Sequence, residues 1–222
     1  MRSLPRPVSA VALVGLIALL APGCGIKEKL EQRISEEVAE KVVEIAAGDE
    51  VDVELRDGEV EVNHKDGSSW KADAESGKGQ VVTHDGKVYD YEGKDDEAHV
   101  KGSDGLDART GKEVPADFPL RLPADKEVFV AQRVQQPDKT MAWTVMFRPL
   151  NPDIDALADD LKAQLESKGL KVDRNAKAAG PQQLIMMTAK DPGERISAHC
   201  TITVPEDVKN TNVQIGWTQK PG

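Results

Sequence analysis

The chain predicts an α+β fold: an N-terminal helix and a small acidic β-rich region, followed by an antiparallel sheet packed against one helix. Three patterns carry that expectation. Residues 26–47 place an apolar side chain every three or four positions, the period of a helix. Residues 51–110 alternate apolar and polar side chains between Asp-Gly pairs, the pattern of short hairpins. Residues 125–219 hold several alternating runs and one further stretch of helical period bracketed by capping residues. Charge divides the chain in the same way. Residues 49–117 contain twenty acids and nine bases, a net of −11, whereas residues 118–222 contain thirteen and fourteen, a net of +1. That asymmetry argues for two structural regions and against nucleic acid as a partner, because phosphate binding requires clustered Lys and Arg.

Residues 1–23 read as an export signal. Arg2 and Arg6 give a cationic start, and the apolar run from Ala10 to Ala21 is twelve residues long, short of the roughly 20 that a membrane-spanning helix needs. Small residues then precede a cleavage point. The residue that opens the mature chain is Cys24, and the junction Ala21-Pro22-Gly23-Cys24 resembles the lipobox of bacterial lipoproteins. An ordinary export signal with Cys24 incidental is the competing reading; a cysteine at this junction favours lipidation. A buried acyl chain gains about 0.8 kcal/mol per methylene, and stable anchoring takes more than one chain. Bacterial lipoproteins typically carry more than one, so the resemblance implies lasting attachment to a membrane of the bacterial cell envelope. Gly25 in place of an acid resembles an outer-membrane sorting signal, should the organism have two membranes. Removing residues 1–23 takes away two positive charges and leaves a net charge of −12.

Residues 24–48 hold the anchor cysteine and an amphipathic helix. Ile26, Leu30, Ile34, Val38, Val42 and Ile45 form one apolar stripe, Glu37 and Lys41 are placed as an i,i+4 pair, and Gly48 supplies a stop. At about 1.5 Å per residue the helix reaches about 33 Å. Its polar faces are mostly glutamate, which favours packing on the protein's own β-structure or on another copy over an anionic membrane surface.

Residues 49–110 form the acidic β-rich region. Val51, Val53 and Leu55 alternate with acids, Asp57-Gly58 turns the chain, and Val60 and Val62 alternate again. Asp66-Gly67, Asp85-Gly86 and Asp104-Gly105 mark further turns, whose spacing is taken as too irregular for a repeat array. The apolar content is thin, chiefly Trp70, Val81, Val82, Val88, Tyr89, Tyr91 and Val100. A region so small is marginal by itself.

Residues 111–124, with Pro115, Pro119 and Pro123, read as a connector and mark the domain boundary. Residues 125–222 form the larger domain. Val128, Val130 and Val134 are expected on one strand face, and Pro137-Asp138-Lys139 turns the chain into a strand carrying Met141, Trp143, Val145 and Phe147. The helix that follows has Asn151 as its cap, Pro152 at its first position and Asp153 and Asp155 at its positive end. Its buried stripe is Ile154, Leu157, Leu161 and Leu165, and Lys168-Gly169 closes it. Three strands complete the domain, over Leu184 to Ala189, Ile196 to Val204 and Val213 to Thr218.

The order of these pieces resembles a family of uncharacterised secreted bacterial lipoproteins. Its members run from a lipobox through a Glu/Lys-rich helix and an acidic strand region with Asp-Gly turns. A Pro-x-Asp-Phe-Pro junction then leads into a ββαββ-type domain. Here the junction is Pro115-Ala116-Asp117-Phe118-Pro119, followed by Leu122-Pro123-Ala124, and the pattern after the helix is Lys168-Gly169-Leu170. The resemblance spans nearly the whole mature chain and brings no catalytic residues with it.

Candidate chemistry is sparse. Cys200 lies beside His199, but strand alternation puts Ile196, Ala198, Cys200, Ile202 and Val204 on one face and Ser197, His199, Thr201 and Thr203 on the other. Cys200 is therefore expected in the core, out of reach of His199 as a base. With Cys24 lipidated, Cys200 is the sole thiol and no disulfide within the chain is expected. His64, His84 and His99, with Asp95-Asp96-Glu97, match no metal-site spacing. The expectation is an envelope-anchored, non-enzymatic protein for recognition or structural support. It is expected to hold no catalytic site, cofactor or metal, and to bind the membrane through Cys24 together with an unknown protein or envelope partner. The alternative is a hydrolase or transferase of envelope polymers that uses dispersed carboxylates.

Overall fold

The structure, a computed structural model, describes residues 51–56, 59–73 and 76–222. The expected export signal, Cys24 and the helix over 26–47 lie outside the described residues. The described chain is mostly antiparallel sheet with one α-helix, closer to all-β than to the expected α+β class. It divides into two compact units, Met1–Ala98 and His99–Gly222. The division falls earlier than the prolines of 111–124 suggested, for a reason given below.

The first unit is a meander of β1 (Val51–Arg56), β2 (Glu59–His64), β3 (Ser69–Asp73), β4 (Lys78–Val82) and β5 (Val88–Lys94), each antiparallel to the next. The hairpin expected around Asp57-Gly58 forms, with Val53 opposite Val62 and Arg56 opposite Glu59. The register then runs Val62 to Trp70, Trp70 to Val81 and Val81 to Tyr89. Because side chains alternate with period two, Val60, Val62, Trp70, Ala72, Val81, Tyr89 and Tyr91 share one face. The other face carries a polar lattice: Lys71 pairs with Glu59 at 2.9 Å, Lys78 with Glu92 at 3.5 Å, and Gln80 donates to Asp90 at 2.8 Å. On the apolar face the Tyr91 ring covers Gly79, where a Cβ would come within 2.2 Å of the ring, and Tyr91 hydrogen-bonds Trp70.

The turns contradict the expectation of irregular spacing. Asp66-Gly67, Asp85-Gly86 and Asp104-Gly105 each follow the last by nineteen residues, and all three have one geometry. The amide of the glycine donates to the carbonyl three residues back, at His64, Thr83 and Gly102. The amides of those same three residues donate to the carbonyls of Ser68, Lys87 and Leu106. This is the three-residue hairpin loop with a left-handed last position, which glycine occupies at φ of 85°, 79° and 95°. The aspartate before the glycine accepts from the residues that close the loop. Hydrogen bonds from Thr83 and Lys87 hold the Asp85 carboxyl at about 2, and those from Ser68 lower that of Asp66. Counting Asp57-Gly58 with the others hides this period, because it precedes Asp66-Gly67 by only nine residues.

In the second unit β6 (Glu97–Gly102, from His99 onward) neighbours β7 (Asp107–Gly111). The strand order continues β7, β8 (Lys126–Gln135), β9 (Met141–Pro149), β13 (Asn212–Gln219), β12 (Ile196–Val204), β11 (Gln182–Lys190) and β10 (Lys171–Ala179). Every pairing from β7 through to β10 is antiparallel. The helix α1 (Ile154–Ser167) carries the chain from β9 past three strands to the edge strand β10, and the return through β11, β12 and β13 closes against β9. One sheet face is the core: Val145, Phe147, Val213, Ile215, Cys200, Ile202, Ile185 and Met187 are all nearly inaccessible, under Leu161 and Leu165 of α1.

Three local expectations change. A bulge between Val128 and Val130 resets the phase of β8, so Val128 opposes Phe147 on the core face while Val130 opposes Met146 on the other; Ala131, opposite Val145, takes the buried place. The cap of α1 is Asp153, not Asn151. Asp153 is extended (φ −89°, ψ 102°) and its carboxylate accepts from the Ala156 amide at 3.0 Å, while Pro152 falls before the helix rather than in it. Finally β10 was not expected, because Val172 is its only residue packed against the core and the rest of its surface is charged or small. It is held by pairing along its whole length with β11, from Lys171 opposite Lys190 to Ala179 opposite Gln182, and Arg174 also meets Asp159 of α1 at 2.6 Å. At its far end α1 closes as expected, with Gly169 at φ 77° donating to Glu166 and Leu170 to Leu165.

Residues 111–124 are not a free connector. Phe118 and Leu120 are buried in the core cluster, and Val114 and Leu122 pack against it. Asp117 accepts from Arg133 of β8 at 2.8 Å and from Trp143 of β9 at 3.2 Å. The buried amide of Gln164 on α1 accepts from the Arg121 backbone amide at 2.8 Å and donates to its carbonyl at 3.1 Å. The segment is thus a strap joining β8 and β9 to the helix. The segment turns at Ala116-Asp117, where the Phe118 amide donates to the Pro115 carbonyl at 2.9 Å.

Two outcomes follow for the strap. Gln164→Ala leaves the Arg121 peptide without its partners and should cost about 2–3 kcal/mol in urea unfolding; an unchanged midpoint would refute the strap. Burial of Asp117 opposes its ionisation, yet hydrogen bonds from Arg133 and Trp143 outweigh it and lower its carboxyl below the usual range. Its contribution is therefore present above the unfolded value near 3.9 and is lost as pH falls through the lower folded value. Asp117→Asn should be less stable than wild type at neutral pH, with the difference closing at acid pH; a pH-independent difference would count against the ionic contact.

Candidate binding cleft in the second unit

Where the strap passes the start of α1, the second unit has a surface cleft of about 570 Å³, within the usual range for small-ligand sites. Its apolar lining comes from Leu122, Pro123, Pro149, Pro152 and Leu157, and its polar lining from Arg121, Asp125, Asn151, Asp153 and Asp160. Each piece is placed by the fold. Pro149 ends β9 opposite Lys126, the Leu150 amide donates to the Asp125 carbonyl at 3.0 Å, and Lys126 donates to the Pro123 carbonyl at 2.9 Å.

The carboxylates around the cleft are partly occupied. Asp153 caps α1, and Asp160 accepts from Gln164 at 2.7 Å, so the same amide that holds the strap also orients an acid of the cleft. Three aspartates against one guanidinium favour a ligand carrying donors or positive charge, with an apolar part over Leu122 and Leu157. Sequence reasoning assigned Asp153 to the helix dipole and singled out neither Asp125 nor Asp160. The signal that could have found the cleft is the clustering of Pro149, Asn151-Pro152 and Pro123 around a helix start.

Cys200 is where alternation placed it: buried at 2% exposure, opposite Ile215 and Met187, with burial pushing its thiol up to about 12. His199 points to the other face, where its ring lies over Gly216; a Cβ there would fall within 1.9 Å of the ring. The thiol and imidazole are thus kept on opposite sides of the sheet. His64 lies in β2, His84 in the loop before β5, and His99 Nε2 meets Asp107 Oδ1 at 3.0 Å. Among the described residues no three His, Cys, Asp or Glu side chains converge as a metal site. Comparison with protein families, curated proteins and solved structures finds no match to the chain.

Cys200→Ser puts a hydroxyl among Ile215, Met187 and Ile202 and should cost about 1–3 kcal/mol. Thermal unfolding at wild-type temperature would contradict the core placement.

Proposed function

We propose that the chain is a lipid-anchored cell-envelope protein, fixed to a membrane through Cys24, whose second unit serves non-enzymatic recognition or structural support. The observation that carries this reading is the cysteine placed directly after a cationic start, a twelve-residue apolar run and a small-residue junction. Its similarity to secreted bacterial lipoproteins points the same way. The partner is a protein or envelope component rather than nucleic acid, since the mature chain carries a net −12. The cleft beside α1 is the favoured recognition surface, because it joins an apolar lining to polar groups whose positions the strap fixes. With the amphipathic stretch over 26–47 counted as a helix, the organisation is α+β in the finer sense.

A second reading is an envelope-polymer hydrolase. It is favoured by one observation, the three aspartates lining one cleft, and it needs two of them within about 5–9.5 Å across a bound chain. Against it, Asp153 and Asp160 are already committed to the Ala156 amide and the Gln164 amide.

Cys24→Ala should move the protein from the membrane fraction to the soluble fraction of lysed cells. An unchanged distribution would overturn the anchor assignment.

A further inference from the structure

The second unit ends in an open strand edge. β10 is the last strand of the order, paired with β11 on one side and with no strand on the other among the described residues. Such an edge offers unpaired amides and carbonyls to an extended chain. Which residues offer them follows from the hairpin. Ala179 and Gln182 flank the two-residue loop Gly180-Pro181, and the pair that closes a tight hairpin is hydrogen-bonded. Alternation then turns the backbone amides and carbonyls of Val172, Arg174, Ala176 and Ala178 to the free side. Side chains alternate too. Val172 and Arg174 face the core and α1, so Asp173, Asn175 and Lys177 share the opposite face, where all three are exposed. Neither Asp173 nor Lys177 has an ion-pair partner among the described residues.

We propose that β10 pairs antiparallel with β10 of a second copy of this chain, centred on Asn175, so that the two sheets join edge to edge. The strand is complementary to itself in this register. Asp173 of each copy stands opposite Lys177 of the other, which gives two cross-strand ion pairs. On the α1 side the half-buried Val172 meets the exposed Ala178, and Arg174 meets Ala176, whose methyl group leaves the Arg174–Asp159 pair undisturbed. Backbone polarity agrees, because Val172 with Ala178 and Arg174 with Ala176 are pairs whose amides and carbonyls all point to the free side. Neighbouring registers fail. Centring on Arg174 sets Lys171 against Lys177 and Arg174 against itself, and centring on Ala176 sets Lys177 against Asn175 with no opposite charge. Lysines on an edge ordinarily turn stray strands away. Here an aspartate four residues earlier on the same face lets that lysine admit this chain's own strand, a match that an arbitrary extended peptide lacks.

The test is sedimentation equilibrium of the purified full chain over a range of concentrations. The wild type should show a monomer–dimer equilibrium. Lys177→Asp sets carboxylate against carboxylate at both ends of the pairing and should weaken it about tenfold or more. Asp173→Lys combined with Lys177→Asp restores opposite charges and should bring the affinity back, which separates a lost contact from a damaged fold. Register is read by mild oxidation. Asn175→Cys puts two thiols on the symmetry axis with Cα atoms about 4.5 Å apart, within disulfide reach, whereas Asp173→Cys sets them about 14 Å apart along the strands. Only Asn175→Cys should give more covalent dimer than the wild type. A wild type that stays monomeric up to millimolar concentration would overturn the proposal. So would dimers indifferent to Lys177→Asp, no recovery in the double variant, or equal cross-linking at the two positions.

Discussion

The second unit depends on how one sheet face is covered by too little helix. A fourteen-residue helix is about 21 Å long, and the strands it meets most closely are β10 and β11. The strap supplies the rest: Phe118 and Leu120 complete the buried cluster, and three polar contacts hold them there, Asp117 to Arg133, Asp117 to Trp143 and Gln164 to the Arg121 peptide. A burial problem is thus solved by hydrogen bonds, because a segment outside helix and sheet must find partners for its backbone in local turns and on side chains. The Pro-x-Asp-Phe-Pro motif acquires a physical meaning in this way. Its first proline accepts from the Phe118 amide in a tight turn, its aspartate pins the strap and its phenylalanine fills the core.

The strap also makes the cleft. Gln164 binds the Arg121 peptide on one side and Asp160 on the other, so the position of the strap and the orientation of a cleft acid are one event. The cleft lies where this packed strap meets the start of α1. The opposite face of the sheet has a different character: threonines, Ser197 and the His199 ring laid over Gly216.

The first unit is built on another principle. Its stability rests on repeated local geometry, with a glycine at positive φ and an aspartate before it in the turns at Asp66-Gly67 and Asp85-Gly86. Those two aspartates are exposed and already bonded within their loops. The acid-rich composition therefore reports turn construction and solubility as much as it reports a partner.

Much of the fold was legible in the residues. Alternation found β2, β9, β12 and β13, the Asp-Gly pairs found the turns, and the face of Cys200 followed from period two, because each of these is decided by neighbours along the chain. The bulge at Val128/Val130, the edge strand β10 and the capping by Asp153 were not legible. A bulge is set by the partner strand, and β10 owes its place to pairing with β11 rather than to any apolar pattern of its own. The cap lies at Asp153, where the extended backbone lets the carboxylate reach the Ala156 amide. The cleft was hidden for a similar reason: Asp153 and Asp160 share α1, but Asp125 joins them only where the chain after the strap meets the helix start. By itself, then, the sequence determined the local periodicities and the turn chemistry. Only tertiary structure decided which segment covers the sheet, because burial depends on residues distant in sequence, and 111–124 reads as a linker until Trp143, Arg133 and Gln164 are placed against it.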